Sequence, residues 1–204
     1  MKKVKLIFFA FISVIFIAGG ISAGFAIAFT VAETPEFSLP VHDLDDVTGV
    51  QVFHDNMSTQ LHIGFDFKLD NDTEIFAPIS GKVTNVKKHK MSNDYWLIDV
   101  NIKINMKWTM FIAFEPWTTE ESIIDDQLNA IIVKTGDRVE VNQSLGFLTP
   151  VSGSEFPHIH WTISFYKFIG VREHVSPYDY LNPQAQNLLL DLCASFGKLP
   201  EGPL

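Results

Sequence analysis

The chain has 204 residues and is 13% aromatic with 18 Phe, which suits one domain with a packed core and excludes a disordered chain. Its formal charge is −9, and Lys2, Lys3 and Lys5 all precede the first acidic residue, Glu33. The chain beyond Glu33 is strongly acidic and repels phosphate backbones, which makes nucleic acid a poor partner.

Those three lysines lead into an uncharged run from Leu6 to Ala32. A spanning helix needs about 20 apolar residues, whereas the apolar stretch of a secretory signal is roughly 7–15. Residues 1–33 therefore read as an N-terminal transmembrane helix, with the lysines inside and the rest of the chain outside the cell membrane. Cleavage after Ala28 or Ala32, giving a secreted protein, is the alternative. Residues 34–60 contain Pro35, Pro40 and the acidic Asp43, Asp45 and Asp46, and read as a linker.

From 61 to 175 short β-prone runs alternate with turn residues, the pattern of an all-β domain. Strands are expected at 61–68, 74–77, 82–88, 95–104, 107–115, 131–133, 138–141, 144–149 and 159–168. Residues 117–130 read as a short helix or an excursion from the sheet. Residues 176–204 form a C-terminal extension, with Asn182 capping a helix that starts at Pro183 and ends near Gly197. Cys193 is the single cysteine, so no internal disulfide forms, and its apolar helical setting makes it a buried small hydrophobe.

Two histidine groups stand out, Leu61-His62-Ile63-Gly64-Phe65-Asp66 and Pro157-His158-Ile159-His160-Trp161. Side chains at i and i+2 of a strand share a face, so His158 and His160 point the same way, as do His62 and Asp66 if that segment is extended. Two imidazoles and a carboxylate with an open fourth position are the ligand set of a catalytic zinc. His42, His54, His89 and His174 read as surface residues.

The linked motifs resemble those of the lysostaphin-like (LytM-type) zinc endopeptidases. The resemblance is carried by His62-Ile63-Gly64-Phe65-Asp66, Ala77-Pro78-Ile79-Ser80-Gly81-Lys82-Val83, the run from Val133 through Gly136 and Val139 to Gln143-Ser144-Leu145-Gly146, and His158-Ile159-His160. It implies an antiparallel β-sheet groove with hairpins like those of barrel-sandwich hybrid folds. It also implies that His62, Asp66 and His160 bind Zn2+, with His158 assisting catalysis. The implied function is hydrolysis of cell-wall or cell-surface peptide cross-links by zinc-activated water, with a peptide or peptidoglycan-like substrate.

One departure matters. The family carries a further histidine in a strand before the Val133 run, yet no histidine lies between His89 and His158. Trp108, Met110, Ile112 and Phe114 alternate as an apolar face, which leaves Glu115 on the opposite face, toward the groove. A glutamate beside zinc is a competent base. The alternative is a weakened or inactive peptidase-fold domain that binds wall peptides or regulates another hydrolase. The Gly136/Gln143/Gly146 run also resembles a biotinyl or lipoyl carrier hairpin, but Lys134 lacks the setting of a modified lysine.

Overall fold

The alternation along residues 108–118 organises the molecule. Trp108, Met110, Ile112 and Phe114 are all buried in the core, while Thr109, Phe111, Ala113 and Glu115 lie on the other face of the same strand. The computed structural model describes residues 32–57, 60–168 and 170–201. The chain divides into a unit of residues 1–33 and a unit of residues 34–204, and only the second falls substantially within the described residues. The N-terminal apolar run lies outside them. Among the described residues no helix is long and apolar enough to cross a membrane.

The second unit is mostly antiparallel β-sheet with two α-helices. In chain order the strands are β1 (Val47–Gln51), β2 (Asn56–Met57), β3 (Gln60–Leu61), β4 (Phe65–Leu69), β5 (Thr73–Phe76), β6 (Gly81–Lys90), β7 (Trp96–Lys103) and β8 (Trp108–Thr118). Helix α1 (Glu121–Ala130) follows, then β9 (Arg138–Val139), β10 (Ser144–Leu148), β11 (His158–Phe168), β12 (Val171–Val175) and α2 (Pro183–Ser195). The main sheet runs β1-β4-β11-β8-β7-β6-β9, with β12 pairing β11 beyond the reach of β4. Strands β5 and β10 form a separate pair, as do β2 and β3.

One face of the sheet is apolar. Phe65, Phe67 and Leu69 of β4, Ile98, Val100 and Ile102 of β7, and Ile159, Trp161 and Ile163 of β11 are fully buried there. At about 1.5–3 kcal/mol per buried large side chain, this face dominates stabilisation. The other face carries the polar residues of the same strands.

The structure departs from the sequence reading at four places. Residues 34–60 are not a free linker: Phe37, Leu39, Val41, Val50, Val52 and Phe53 join the core and β1 pairs with β4. Nor is the C-terminal extension separate, since Ala185, Leu189, Leu192 and Cys193 of α2 are buried in that core. No strand forms at 131–133, where Ile131 makes a single bridge to Gly146 and the buried Ile131 and Val133 anchor a loop. The run 61–68 is interrupted between β3 and β4 by a bend at Gly64. The α2 expectation matches: the Asn182 side chain accepts from the Ala185 amide at 2.8 Å, and Pro183 opens the helix. Burial pushes the Cys193 thiol up to about 12.

Candidate metal centre

Three adjacent strands assemble the site through their register. Asp66 on β4 is the cross-strand partner of His160 on β11, and His158, two residues earlier on the same face, partners Glu115 on β8. His62 arrives from the segment before β4. Its position depends on Gly64, because a Cβ there would lie 2.6 Å from Thr162 Oγ1, 2.6 Å from the Trp161 carbonyl oxygen and 2.7 Å from His160 Cε1. Only glycine lets this backbone press against β11 and turn His62 inward.

Nε2 of His62 lies 3.1 Å from Asp66 Oδ1 and 3.0 Å from Nδ1 of His160, which is 2.6 Å from the same Oδ1. The outer nitrogens are committed elsewhere. Nδ1–H of His62 donates to the Val52 carbonyl at 3.0 Å. Nε2–H of His160 donates to Thr162 Oγ1 at 2.6 Å, and that hydroxyl donates to the Ile63 carbonyl at 3.1 Å. These bonds select the tautomers whose lone pairs face inward. Two imidazole lone pairs and a carboxylate oxygen thus converge in a buried place with no proton left to share. Only an added positive charge, a proton on one ring or a cation, relieves the repulsion.

The electrostatics follow from that convergence. Burial alone would raise the Asp66 carboxyl, but the flanking His158 and, once an inward-facing ring takes up a proton, the hydrogen bonds with His160 and His62 outweigh it and hold it well below the usual carboxylate range. Burial works against a charged His62, yet the hydrogen bond and charge of Asp66 raise it above the ordinary histidine value.

His158 and Glu115 sit beside this cluster. Nδ1–H of His158 donates to the Phe156 carbonyl at 2.7 Å, so its Nε2 faces the cleft, 3.6 Å from Glu115 Oε2 and 3.8 Å from Asp66 Oδ2. Burial lowers His158 despite the nearby Asp66 charge. Glu115 is 8% exposed. Burial first, then the Asp66 and Asp99 charges, push its carboxyl up to about 8. Glu115 and not Phe114 therefore faces the cleft, on the side that alternation assigns it.

The cleft has a volume of about 360 Å³, and its walls include Leu61, Ile63, Met91, Trp117 and Phe156. The β7–β8 register slips between Trp96–Thr118 and Ile98–Phe114, and this bulge turns Trp117 into the wall with φ +64°. A tryptophan rarely adopts that conformation, so packing holds it: Trp117 stacks on Tyr95 at 4.5 Å and meets His158 at 5.8 Å.

His62, Asp66 and His160 each offer one ligand atom, all within 4.8 Å of one another. An N/N/O set of two histidines and one carboxylate, with its imidazoles oriented by hydrogen bonds, fits zinc. His42, His54, His89 and His174 do not join this group. Sequence reasoning missed Val52 and Thr162. Thr162 was reachable, being two residues from His160 on the same face, whereas Val52 lies in the stretch read as a linker.

Solved structures similar to this chain include lysostaphin and other peptidases. A zinc containing peptidase from Vibrio cholerae is 18% identical with a TM-score of 0.46, over 65% of this chain and 37% of that one. Lysostaphin in solution is 17% identical with a TM-score of 0.46, over 84% and 61%. The catalytic domain of a point mutant of the prophage-encoded M23 protein EnpA from Enterococcus faecalis is 21% identical with a TM-score of 0.45, over 71% and 94%. This chain thus spans well under two thirds of the length of the first and just under two thirds of the second. No protein-family model matches the sequence, and no curated protein matches it. At these identities the likeness says nothing of chemistry, which rests on the side chains described above.

Proposed function

We propose that this protein is a zinc-dependent metalloendopeptidase that hydrolyses peptide cross-links of a cell wall or cell surface, held on the outer side of the membrane by its N-terminal segment. The observation that carries the reading is the convergence of His62 Nε2, Asp66 Oδ1 and His160 Nδ1 beside the buried His158–Glu115 pair. His62, Asp66 and His160 would hold the ion. Zinc supplies a Lewis acid for a peptide carbonyl and makes water nucleophilic at neutral pH.

The protein's own groups supply the proton chemistry. His158 is fixed by its bond to Phe156, which turns its Nε2 toward the cleft to accept a proton from attacking water, and burial favours the neutral ring. Protonated, the same nitrogen donates to the developing oxyanion or the leaving amine. Glu115, 3.6 Å away, takes up or returns the proton. The Leu61, Ile63, Trp117 and Phe156 walls keep bulk water from the pair.

A second reading, a domain that binds wall peptides without cutting them, is favoured by one observation. The Glu115 carboxyl stands opposite His158, whereas the related motif leads one to expect a further histidine in the strand before the Val133 run.

Metal content of the purified full chain, wild type beside His160→Ala, tests the centre. One zinc per chain, lost in the variant, is expected; absence of zinc from wild type after incubation with excess metal would overturn it. Hydrolysis of wall peptides by the zinc-loaded chain, abolished in His158→Ala, then separates the peptidase from the binding domain.

A further inference from the structure

The sheet face that carries the candidate metal centre also carries a polar row with three cations at one end. Successive cross-strand partners run Arg138–Lys82, Lys82–Lys103, Lys103–Thr109, Thr109–Ser164 and Ser164–His174, one unbroken line across β9, β6, β7, β8, β11 and β12. The neighbours of these positions along their strands, Val83, Ile102, Met110, Ile163 and Val139, are buried, so the row lies on the face opposite the core, with His158 and His160. Its β11 member, Ser164, lies four residues from His160, about 13 Å along the strand, and Lys103, Lys82 and Arg138 lie a further two, three and four strands across the sheet, at about 4.8 Å per strand. No carboxylate belongs to it.

Like charges directly opposite each other destabilise a sheet. Here three cations, Arg138, Lys82 and Lys103, stand side by side. All three are exposed, and none makes an ion pair among the described residues, although Lys68, Lys88, Lys90, Lys167 and Lys198 all do. A fourth cation connects the row to the cleft. Arg172 of β12 donates through Nε to Ser164 Oγ at 2.8 Å, and its guanidinium lies 6.0 Å from the Phe111 ring. The His160 ring lies 5.9 Å from that same ring. Arg172 too has no carboxylate partner among the described residues.

We propose that this row and Arg172 bind the carboxylates of an acidic peptide, and that the substrate of the cleft is therefore an acidic peptide. The inference rests on the peptidase reading for the word substrate, though not for the binding itself. A peptide is the occupant that fits, because Arg172 stands beside Ser164 about 13 Å from His160, and Lys103 lies about 16 Å from it obliquely across the sheet, so an extended ligand of some five or more residues reaches from the metal centre to these cations. Arg172 presents the forked donor that matches a carboxylate. The chain's net charge of −9 opposes acidic ligands only at a distance. At physiological salt the screening length is about 8 Å, so a seated ligand responds to the nearby cations.

Fluorescence anisotropy of the full chain with a labelled Gly/Ser peptide bearing three glutamates, beside its glutamine counterpart, tests the proposal. The glutamate peptide is expected to bind about tenfold tighter, with that preference lost in Lys82→Glu/Lys103→Glu and in Arg172→Glu. The milder Lys82→Gln/Lys103→Gln covers the case of a charge-reversed variant that fails to fold. His160→Ala should keep the preference, which separates this surface from the metal centre. Equal affinity for the two peptides, or a preference unchanged in the charge variants, would overturn the proposal. Tight binding of inorganic polyphosphate without a glutamate preference would also overturn it, by assigning the row to phosphate polymers. Retained preference without any hydrolysis would sink the peptidase reading and leave the acidic-peptide surface standing.

Discussion

Thr162 stands two residues beyond His160 on the same face of β11, and its hydroxyl oxygen lies 2.6 Å from Nε2 of His160 while donating to the Ile63 carbonyl. One hydroxyl thereby ties a ring of the candidate metal centre to the glycine-containing segment that delivers His62. Thr162→Val keeps the shape and removes both bonds. Partners of this kind are worth about 10–100-fold in metal affinity. Competition with a zinc chelator should show a loss in that range, with the fold intact by circular dichroism. Unchanged affinity would mean that the hydroxyl does not orient the ring.

Gly64 has the most demanding steric position in the centre, since the space a Cβ would need is filled by the Trp161 carbonyl, which does not yield, and by the side chains of Thr162 and His160. Gly64→Ala should cost at least about 1–3 kcal/mol, the usual range for overpacking. The measurable result is a lower thermal midpoint together with weaker zinc binding. A variant as stable as wild type would show that the 62–64 segment relaxes freely.

Glu115 makes the metal-free protein sensitive to alkali. Its carboxyl is raised from 4.5 to about 8 by burial, Asp66 and Asp99. A raised folded-state value means the folded state holds the proton longer than the unfolded one, so the stabilising proton is fully present below about pH 4.5 and lost as pH rises through about 8. Metal-free wild type should therefore lose stability across that window from this group, whereas Glu115→Gln cannot. The gap in thermal midpoint between variant and wild type should widen from pH 5 to pH 9, as read by calorimetry in chelator. A constant gap would place Glu115 in water.

Helix α2 is part of the core and not an appendage. Leu189 is fully buried, and its truncation to alanine should cost about 2–5 kcal/mol in denaturant unfolding. A cost within about 0.5 kcal/mol would return residues 176–204 to the status of an extension.

Much of this was legible because strands have a period of two. Trp108, Met110, Ile112 and Phe114 announced a buried face, which by itself put Glu115 rather than Phe114 on the open side. Asn182 and Pro183 marked the start of α2 because helix ends use few residue types. The residues 34–60 were misread for a related reason. Proline and acidic residues there resemble a linker locally, whereas Phe37, Val50 and Val52 are held by the partners they meet across the fold.

The sequence alone determined which side chains were available and how they faced: two histidines one strand period apart, a third histidine and an aspartate around a glycine, and a glutamate on the open face. Only the tertiary structure decided which nitrogen of each ring points inward. The Val52 and Phe156 carbonyls and the Thr162 hydroxyl make that choice, and the first reaches His62 from ten residues away through the packing of β1 against β4. Likewise, the lysines and arginines could be counted in the sequence, but their alignment in one row is a property of register between strands far apart in the chain. Hydrogen-bond partners and cross-strand neighbours are set by long-range pairing, which local residue patterns do not encode.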